Sequence, residues 1–170
     1  VTSPISPMSK KQAILDTALR LFVVEGFEAT ATARIAAEAG VATGTLFHHF
    51  KNKDQLVNAL YLDIKADITA ALTRALEDGG RGDLRDRAWW VFTGFVRWAI
   101  AEPERFRFNA IFCDSPAITR DSRRHMVELT SPVTRALVED GHARGVLRDL
   151  PSPLLLSYAS KLMVETARYV

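Results

Sequence analysis

A run of apolar residues at a constant spacing of four most restricts the fold of this chain. Leucine or isoleucine stands at Leu56, Leu60, Ile64, Ile68, Leu72 and Leu76. This period places one apolar stripe along an α-helix rather than a β-strand. The helix is predicted to begin near Asn52 or Lys53 and to end at Asp78-Gly79-Gly80. It would therefore be long, with about seven turns.

Apolar residues recur at three and four through the rest of the chain, and no β-branched run has a period of two. An all-α fold is therefore predicted. Further helices are expected over residues 9–25, 32–39, 43–49, 84–101, from Pro103, over 119–143, and from Pro153 to Val170. Ser9 is the predicted N-cap of the first, and Thr30 or Thr32 that of the second. Ser131-Pro132 predicts either a kink or a break in the seventh helix.

Composition limits the class of protein. Apolar residues make up 48% of the chain and charged residues 25%, which is typical of a globular domain. Residues 1–8 lack the pattern of a secretory signal and are expected to form a flexible tail. No apolar run is long enough to cross a membrane. Because Cys113 is the only cysteine, no internal disulfide can form, which fits a cytoplasmic location.

Residues 31–53 predict a helix-turn-helix. Two short helices are joined there by a tight turn at Gly40, where glycine permits a positive φ. Ala36 is small where the two helices must approach, and Val41 and Leu46 would fill the space between them. The second helix would enter the DNA major groove. The net charge of only +2 means that a few placed cations and backbone amides would have to hold the phosphates.

The order and spacing of residues in this region are more specific than a general helix-turn-helix. The matching residues are Leu21-Phe22, Gly26-Phe27, Thr30, Ile35-Ala36, Ala39-Gly40-Val41, Gly44-Thr45-Leu46-Phe47-His48-His49-Phe50 and Lys51-Asn52-Lys53. Residues 10–62 resemble the N-terminal signature of the TetR family of regulators. The resemblance implies a helix-turn-helix DNA-binding domain over residues 9–52. A helical effector-binding and dimerisation domain would then occupy residues 53–170.

The resemblance also implies DNA contacts for individual residues. The expected DNA-binding residues are Thr32, Arg34, Thr43, Gly44, Thr45, Phe47, His48 and Lys53. Thr32 and Lys53 are expected to contact phosphates, and Phe47 and His48 to lie on the DNA side. The sequence departs from the family where Phe47 replaces the usual tyrosine and Thr43 a frequent lysine. His48 and His49 point about 100° apart on a helix, which disfavours a metal site.

Aromatic residues are dense in the second half. Some must form the core, but the resemblance also implies an effector pocket there. Its predicted lining is Trp89, Phe92, Phe95, Trp98, Phe108, Phe112 and Met126. Such a lining would suit an apolar ligand, either aromatic or an acyl chain. No catalytic constellation, metal-ligand spacing or phosphate loop is visible, so no cofactor or enzymatic activity is expected.

The last helix is apolar on more than one face. The resemblance implies a homodimer interface there, assigned to Leu155, Tyr158, Leu162 and Met163. The chain is one helix shorter than the family pattern. Either the chain is truncated or its interface differs.

Together these features predict a ligand-responsive transcriptional regulator. The primary hypothesis is a repressor that binds a palindromic operator in double-stranded DNA as a homodimer, and that a small effector releases. An activator or dual regulator on the same fold is the first alternative. A small-molecule-binding protein with a degenerate DNA-binding domain is the second.

Overall fold

The computed structural model describes residues 9–79, 82–148 and 150–169, with the backbone alone over 128–131. The predicted tail over residues 1–8 lies outside the described residues. The described part contains helices and no strand, so the all-α prediction is confirmed. The helices are α1 (Lys10–Glu25), α2 (Thr32–Glu38), α3 (Thr43–His49), α4 (Lys53–Asp78), α5 (Leu84–Ala101), α6 (Pro103–Phe112), α7 (Arg120–Ala143) and α8 (Ser152–Ala167).

Helix α1 begins and ends as its sequence predicts. The Ser9 hydroxyl accepts a hydrogen bond from the backbone N–H of Gln12, and Gly26 follows the helix with a φ of 86°. The predicted threonine cap of α2 is wrong, because Ala31 occupies the N-cap position. Thr30 is buried instead, and its hydroxyl donates to the carbonyl of Gly26 at 2.8 Å. That hydroxyl therefore closes the loop between α1 and α2.

The turn between α2 and α3 is held by one glycine and by backbone hydrogen bonds. Gly40 has a φ of 67°, which a side chain would strain. The N–H of Val41 then donates to the carbonyl of Ala36 at 3.0 Å. Ile35, Ala36 and Leu46 are all buried, so the two short helices are fixed by a shared apolar contact rather than by their own length.

Helix α4 has 26 residues, and the side chain of Asn52 caps it by accepting from the N–H of Gln55. Five of its six evenly spaced leucine and isoleucine residues are buried, as predicted: Leu56, Leu60, Ile64, Ile68 and Leu72. The helix packs against α1 at one end and against α5, α6 and α7 along the rest. It therefore connects the helix-turn-helix with the remainder of the chain.

The remaining boundaries follow local chemistry. Asp83 and Asp86 form a reciprocal capping box at the start of α5, and Pro103 opens α6. Helix α7 runs without interruption through Pro132, so the alternative of a break with a new N-cap at Ser131 is wrong. A proline removes one backbone hydrogen bond, and the turns on both sides remain helical.

Aromatic side chains join the two halves of the molecule. Phe22 of α1 lies 6.3 Å from Phe112 of α6, whose ring stacks on Phe108 at 4.3 Å. Phe95 of α5 contacts Trp98 and Phe106 at 5.6 and 6.3 Å. None of the described helices combines the length and the hydropathy needed to cross a membrane.

Candidate functional site

Helix α3 has one face in the core and the other in solvent. Leu46 and, directly after the helix, Phe50 are buried. The outward face carries the residues expected to approach DNA: Thr43, Gly44, Phe47 and His48 are exposed, and Thr45 is half-buried. Phe47 is 44% exposed, a large fraction for an aromatic ring on a short helix. The buried face fixes the helix, and the exposed face is available to a partner.

Thr32 and Arg34, the predicted DNA contacts of α2, differ in their surroundings. Thr32 is half-buried at the start of the helix. Arg34 is exposed, but its guanidinium pairs with Glu38 at 2.7 Å and with Glu25 at 2.6 Å. The hydrogen bond with Glu38 raises the pKa of Arg34. A DNA phosphate would have to compete with two carboxylates for this cation.

Glu38 also joins α2 to α1. It accepts a hydrogen bond from Arg20 at 2.6 Å, and this bond, followed by that from Arg34, lowers the pKa of Glu38. All of these side chains are solvated, so the network orients α2 against α1 rather than adding much stability.

Lys53 lies at the first position of α4 and points back toward the loop between α1 and α2. Its Nζ donates to the carbonyls of Phe27, Glu28 and Thr30 at 2.7, 3.2 and 3.3 Å. The ammonium also lies 4.5 Å from the centroid of the Phe27 ring. The predicted phosphate contact of Lys53 stays a prediction, but the structure gives its ammonium other partners.

Lys51 is a cation that the sequence reasoning did not single out. It lies in the short segment between α3 and α4 and is exposed. Its backbone N–H donates to Gln55, whereas its ammonium has no hydrogen bond or ion pair with any described residue. Lys51 is among the residues that match the family pattern, and its place shortly after α3, the helix predicted to enter the major groove, is the signal that could have singled it out.

The residues predicted to line an effector pocket do not surround one cavity. Phe95, Trp98, Phe108 and Phe112 are buried in ring–ring contacts of the core, and Met126 packs against that core from a half-buried position. In contrast, Trp89 is 62% exposed and stacks on Phe92 at 6.1 Å. Phe92 alone of the seven borders the large apolar cleft described next.

This cleft, of about 600 Å³, lies between α5, α7 and α8. Its lining is apolar except at Asp83, Arg85, Thr134 and Arg144. Its apolar lining is Leu84, Ala88, Val91, Phe92, Leu137, Val138, Val146, Leu147, Leu155, Leu156, Ala159, Leu162 and Met163. Of the residues predicted to line a pocket only Phe92 borders this cleft, because its lining is mostly aliphatic and comes largely from α7 and α8. The several apolar faces of α8 were the available signal.

Charged groups at the cleft differ in their partners. Arg144 pairs with Asp140 at 2.7 Å. Arg85 is exposed, and its guanidinium forms no hydrogen bond or ion pair with the residues that the structure describes. A cation with no partner among the described residues thus lies beside an apolar surface.

The residues assigned to a dimer interface occupy different positions on α8. Tyr158 and Leu162 are 65% and 61% exposed, respectively. Leu155 is half-buried and, with Leu162, borders the cleft. Met163 is buried within its own chain. Only part of the predicted set is therefore on an open surface.

Comparison with known proteins identifies the family. The sequence profile of the bacterial regulatory proteins of the tetR family matches residues 14–60. A tetR family transcription regulator from Shewanella sp. PV-4 is similar over most of both chains. It is 38% identical, with a TM-score of 0.90, over 95% of this chain and 85% of that one. The chain belongs to the TetR family. It is thus a DNA-binding transcription regulator and not an enzyme.

Two curated helix-turn-helix transcriptional repressors are also similar to the chain. The transcriptional repressor Rv1474c of Mycobacterium tuberculosis is 27% identical over 88% of this chain and 76% of its own length. The transcriptional repressor KstR2 of Mycolicibacterium smegmatis is 38% identical, but over 36% of this chain and 30% of its own length. Of these two repressors, KstR2 has the higher identity, but over the shorter stretch of this chain.

Proposed function

We propose that this TetR-family chain is a ligand-responsive repressor that binds a near-palindromic operator as a homodimer. The proposal rests on the observation that α3 has one buried face and one exposed face. Leu46 and the adjacent Phe50 hold one face of the helix in the core, while Phe47 and His48 are exposed on the other. A helix whose other face is held in the core presents a fixed set of side chains to the major groove.

The contacts of α3 would supply sequence preference. Thr43, Gly44 and Thr45 open the helix, and the first residues of a recognition helix meet base edges or the neighbouring phosphates. Phe47 lacks a hydroxyl but offers an apolar edge to a thymine methyl group. His48, beside it, offers a ring nitrogen to the duplex.

Phosphate contacts would come from residues around α3. Thr32 opens α2, and Lys51 is the exposed cation between α3 and α4. Arg34 can contribute if a phosphate displaces Glu25 or Glu38 from its guanidinium. Because few cations are involved, the salt dependence of binding should be moderate. Each phosphate contact contributes about −0.9 to the slope of log K against log salt.

Repression and dimerisation have separate support. Two similar proteins, Rv1474c and KstR2, are named repressors. The exposed Tyr158 and Leu162 on α8 form an apolar surface suited to a second copy of the chain. A two-fold dimer would present two copies of α3 to two half-sites at a fixed separation, which requires a near-palindromic operator.

The cleft between α5, α7 and α8 is our candidate effector site. Its volume suits a small organic molecule, and its lining suits an apolar or acyl-chain body. The guanidinium of Arg85 could pair with an acidic end of such a ligand. The effector would weaken DNA binding only as far as it prefers the non-binding conformation. Switching from almost complete binding to almost complete release needs a preference of about 5.5 kcal/mol.

Selection of bound sequences from random duplex DNA, at two salt concentrations, tests the proposal. The protein should enrich a palindromic consensus, and binding should be weaker at the higher salt. Phe47→Ala should change the enriched sequence, because its side chain is on the exposed face of α3. Val24→Ala, on an exposed position of α1, is the matched control and should leave the consensus unchanged.

The opposite outcomes are equally informative. Absence of any enriched sequence at either salt would contradict the proposed operator binding. A consensus without two-fold symmetry would contradict the homodimer. An unchanged consensus with Phe47→Ala would contradict the assigned orientation of α3.

A further inference from the structure

We infer that Lys53 acts on DNA binding as a positioning residue, which fixes the α1–α2 loop (residues 26–31) to the start of α4, and not as a phosphate contact. The inference rests on the proposed DNA-binding role of α3. Lysine is an unfavourable residue at this place on electrostatic grounds alone, because the N-terminus of a helix carries partial positive charge. A lysine at the first position of α4 therefore needs negatively polarised partners.

The structure supplies those partners from the loop. An ammonium group has three N–H donors, and Nζ of Lys53 donates to three carbonyls, those of Phe27, Glu28 and Thr30, at 2.7, 3.2 and 3.3 Å. The Phe27 ring, 4.5 Å away, covers another side of the cation. No donor of this ammonium is left for a phosphate oxygen. A phosphate contact would cost the loop its contacts with α4.

The loop that Lys53 holds is itself connected to the core. Phe27 packs against Phe22 of α1 at 5.5 Å. Thr30 is fully buried, and its hydroxyl donates to the carbonyl of Gly26. The loop ends at Ala31, which is the N-cap residue of α2. A shift of Lys53 relative to the rest of the chain therefore acts on the start of α2, and through α2 on α3.

The polar side-chain contacts further along α4 lie with the second half of the molecule, in addition to the packing of α4 against α1. The side chain of Asn58 donates to the carbonyl of Ala117 and accepts from the N–H of Thr119, both at 2.9 Å. Asp63 and Asp67, further along α4, pair with Arg105 of α6. Polar contacts thus connect α4 to the α6–α7 segment on one side and, through Lys53, to the helix-turn-helix on the other. We infer that a displacement of α4 reaches the α1–α2 loop through the three hydrogen bonds of Lys53.

Lys51 offers a matched control, since it lies two residues away and its ammonium has no partner among the described residues. The test uses the full chain with Lys53→Arg, Lys53→Met, Lys51→Arg and Lys51→Met. Arginine binds phosphate at least as well as lysine, but its planar guanidinium cannot direct three N–H groups as an ammonium does. A phosphate contact at residue 53 would therefore survive the change to arginine, whereas the loop contact would be weakened.

The first measurement is hydrogen exchange of the free protein, which needs no DNA. Both Lys53 variants should raise amide exchange over residues 26–31 at least ten-fold, and both Lys51 variants should leave it unchanged. Unchanged exchange in Lys53→Met would overturn the inference. Because this readout is independent of any operator, it tests the contact between Lys53 and the loop even if the proposed sequence-specific binding fails.

The second measurement is the affinity for the enriched duplex and for an unrelated duplex, across a series of salt concentrations. Both Lys53 variants should lower the ratio of specific to non-specific affinity at least ten-fold, while the salt slope on the unrelated duplex stays at its wild-type value. Lys51→Met should reduce that slope by about 0.9 and weaken both duplexes alike. The inference is overturned if Lys53→Arg binds like the wild type and Lys53→Met gives the result expected for Lys51→Met.

Discussion

The indole Nε1 of Trp98 donates a hydrogen bond to Oδ2 of Asp67 at 2.9 Å, which connects α5 to α4. The same carboxylate lies 3.1 Å from Nε of Arg105, whose Nη2 donates to Asp63 at 2.7 Å. Trp98 is buried and Arg105 is mostly so. This arrangement fixes the side of α4 that faces α5 and α6.

Replacing Asp67 with alanine should destabilise the protein by about 1–3 kcal/mol, because the buried Trp98 would lose its hydrogen-bond acceptor and Arg105 one of its two ion-pair partners. Urea unfolding measures the loss. Glu77→Ala is the control, since Glu77 is an exposed residue of the same helix and its change should stay within about 0.5 kcal/mol. Equal stability of Asp67→Ala and the wild type would show that water replaces the carboxylate at no cost.

Gly94→Ala should also destabilise the protein. A Cβ at Gly94 would lie 2.5 Å from the Cβ of Ala75, so α4 and α5 would have to separate. Overpacking of this kind costs about 1–3 kcal/mol, and the gain in helix propensity offsets about 1 kcal/mol of that. Adding Ala75→Gly should recover part of the loss, giving a favourable coupling energy in a double-mutant cycle. Simple additivity of the two changes would contradict the close approach.

Gly44→Ala is the matched control for Gly94→Ala. No heavy atom lies within 4 Å of a Cβ built at Gly44, so this change should leave stability equal or raise it by up to about 1 kcal/mol. It also adds a methyl group to the exposed face of α3. DNA affinity should therefore fall although the fold is intact.

Tyr61 should make stability fall at alkaline pH. Burial raises its pKa from 10.0 to about 12, so the folded state retains the phenol proton where the unfolded chain loses it. The contribution is fully present below pH 10 and is lost as the pH rises through 12. Two pKa units correspond to about 2–3 kcal/mol.

The comparison of wild type with Tyr61→Phe isolates this contribution. Burial also raises the pKa of Cys113 and lowers that of Lys65, and the latter effect acts on stability with the opposite sign. Both groups remain in Tyr61→Phe, so their effects cancel in the difference. Urea unfolding between pH 9 and pH 12 should show a steeper decline for the wild type. Parallel curves would mean that the Tyr61 phenol ionises as easily in the folded protein as in the unfolded chain.

Charge on the exposed face of α8 should prevent formation of the proposed homodimer. Tyr158→Glu combined with Leu162→Glu places two carboxylates on a surface that is now aromatic and aliphatic, and desolvating them in an interface is costly. Sedimentation analysis should show monomers, and operator affinity should fall at least ten-fold. Lys161→Glu, a charge change at a neighbouring exposed position, is the control. A dimer that survives the double change must use another surface.

Filling the cleft should remove the effector response without removing DNA binding. Ala88 of α5 borders the cleft, and Ala88→Trp would occupy part of its volume. Ligands that release the wild-type protein from its operator should then lose effect, with operator affinity in their absence within about three-fold of wild type. Arg107→Trp, at an exposed position on α6, tests for general effects of an added tryptophan. An unchanged response in Ala88→Trp would exclude the cleft as the effector site.

Regular patterns of sequence predicted the helices well. Examples are the spacing of four in α4, the proline at the start of α6 and the glycine after α1. Each of these signals acts within one or two helical turns, so it can be recognised from neighbouring residues alone. The cap of α2 was predicted wrongly because the Thr30 hydroxyl donates to the carbonyl of Gly26 instead of accepting from a backbone N–H of α2. It is buried against Gly26, and this depends on how the loop packs.

The site was harder to predict, because the partners of its side chains lie far away in the chain. Nothing near Arg34 in sequence shows that Glu25 will reach it, and nothing near Lys53 shows that the carbonyl of Phe27 lies 2.7 Å from its ammonium. The aromatic residues of α5 and α6 presented a similar problem. Their number suggested a pocket, but most of their rings are buried between the helices, whereas Trp89 is exposed and Phe92 borders the cleft.

The contact between Phe22 and Phe112 has a consequence for engineering. A chimaera made by joining residues 1–52 of this chain to the second half of another regulator would keep Phe22 but replace the aromatic ring that it meets 6.3 Å away. The graft would leave a hole or a collision beneath α1, even with a flawless junction at residue 52. A transplantable DNA-binding unit would have to include the face of α6 that packs against α1. Such a unit is not one continuous segment of the chain.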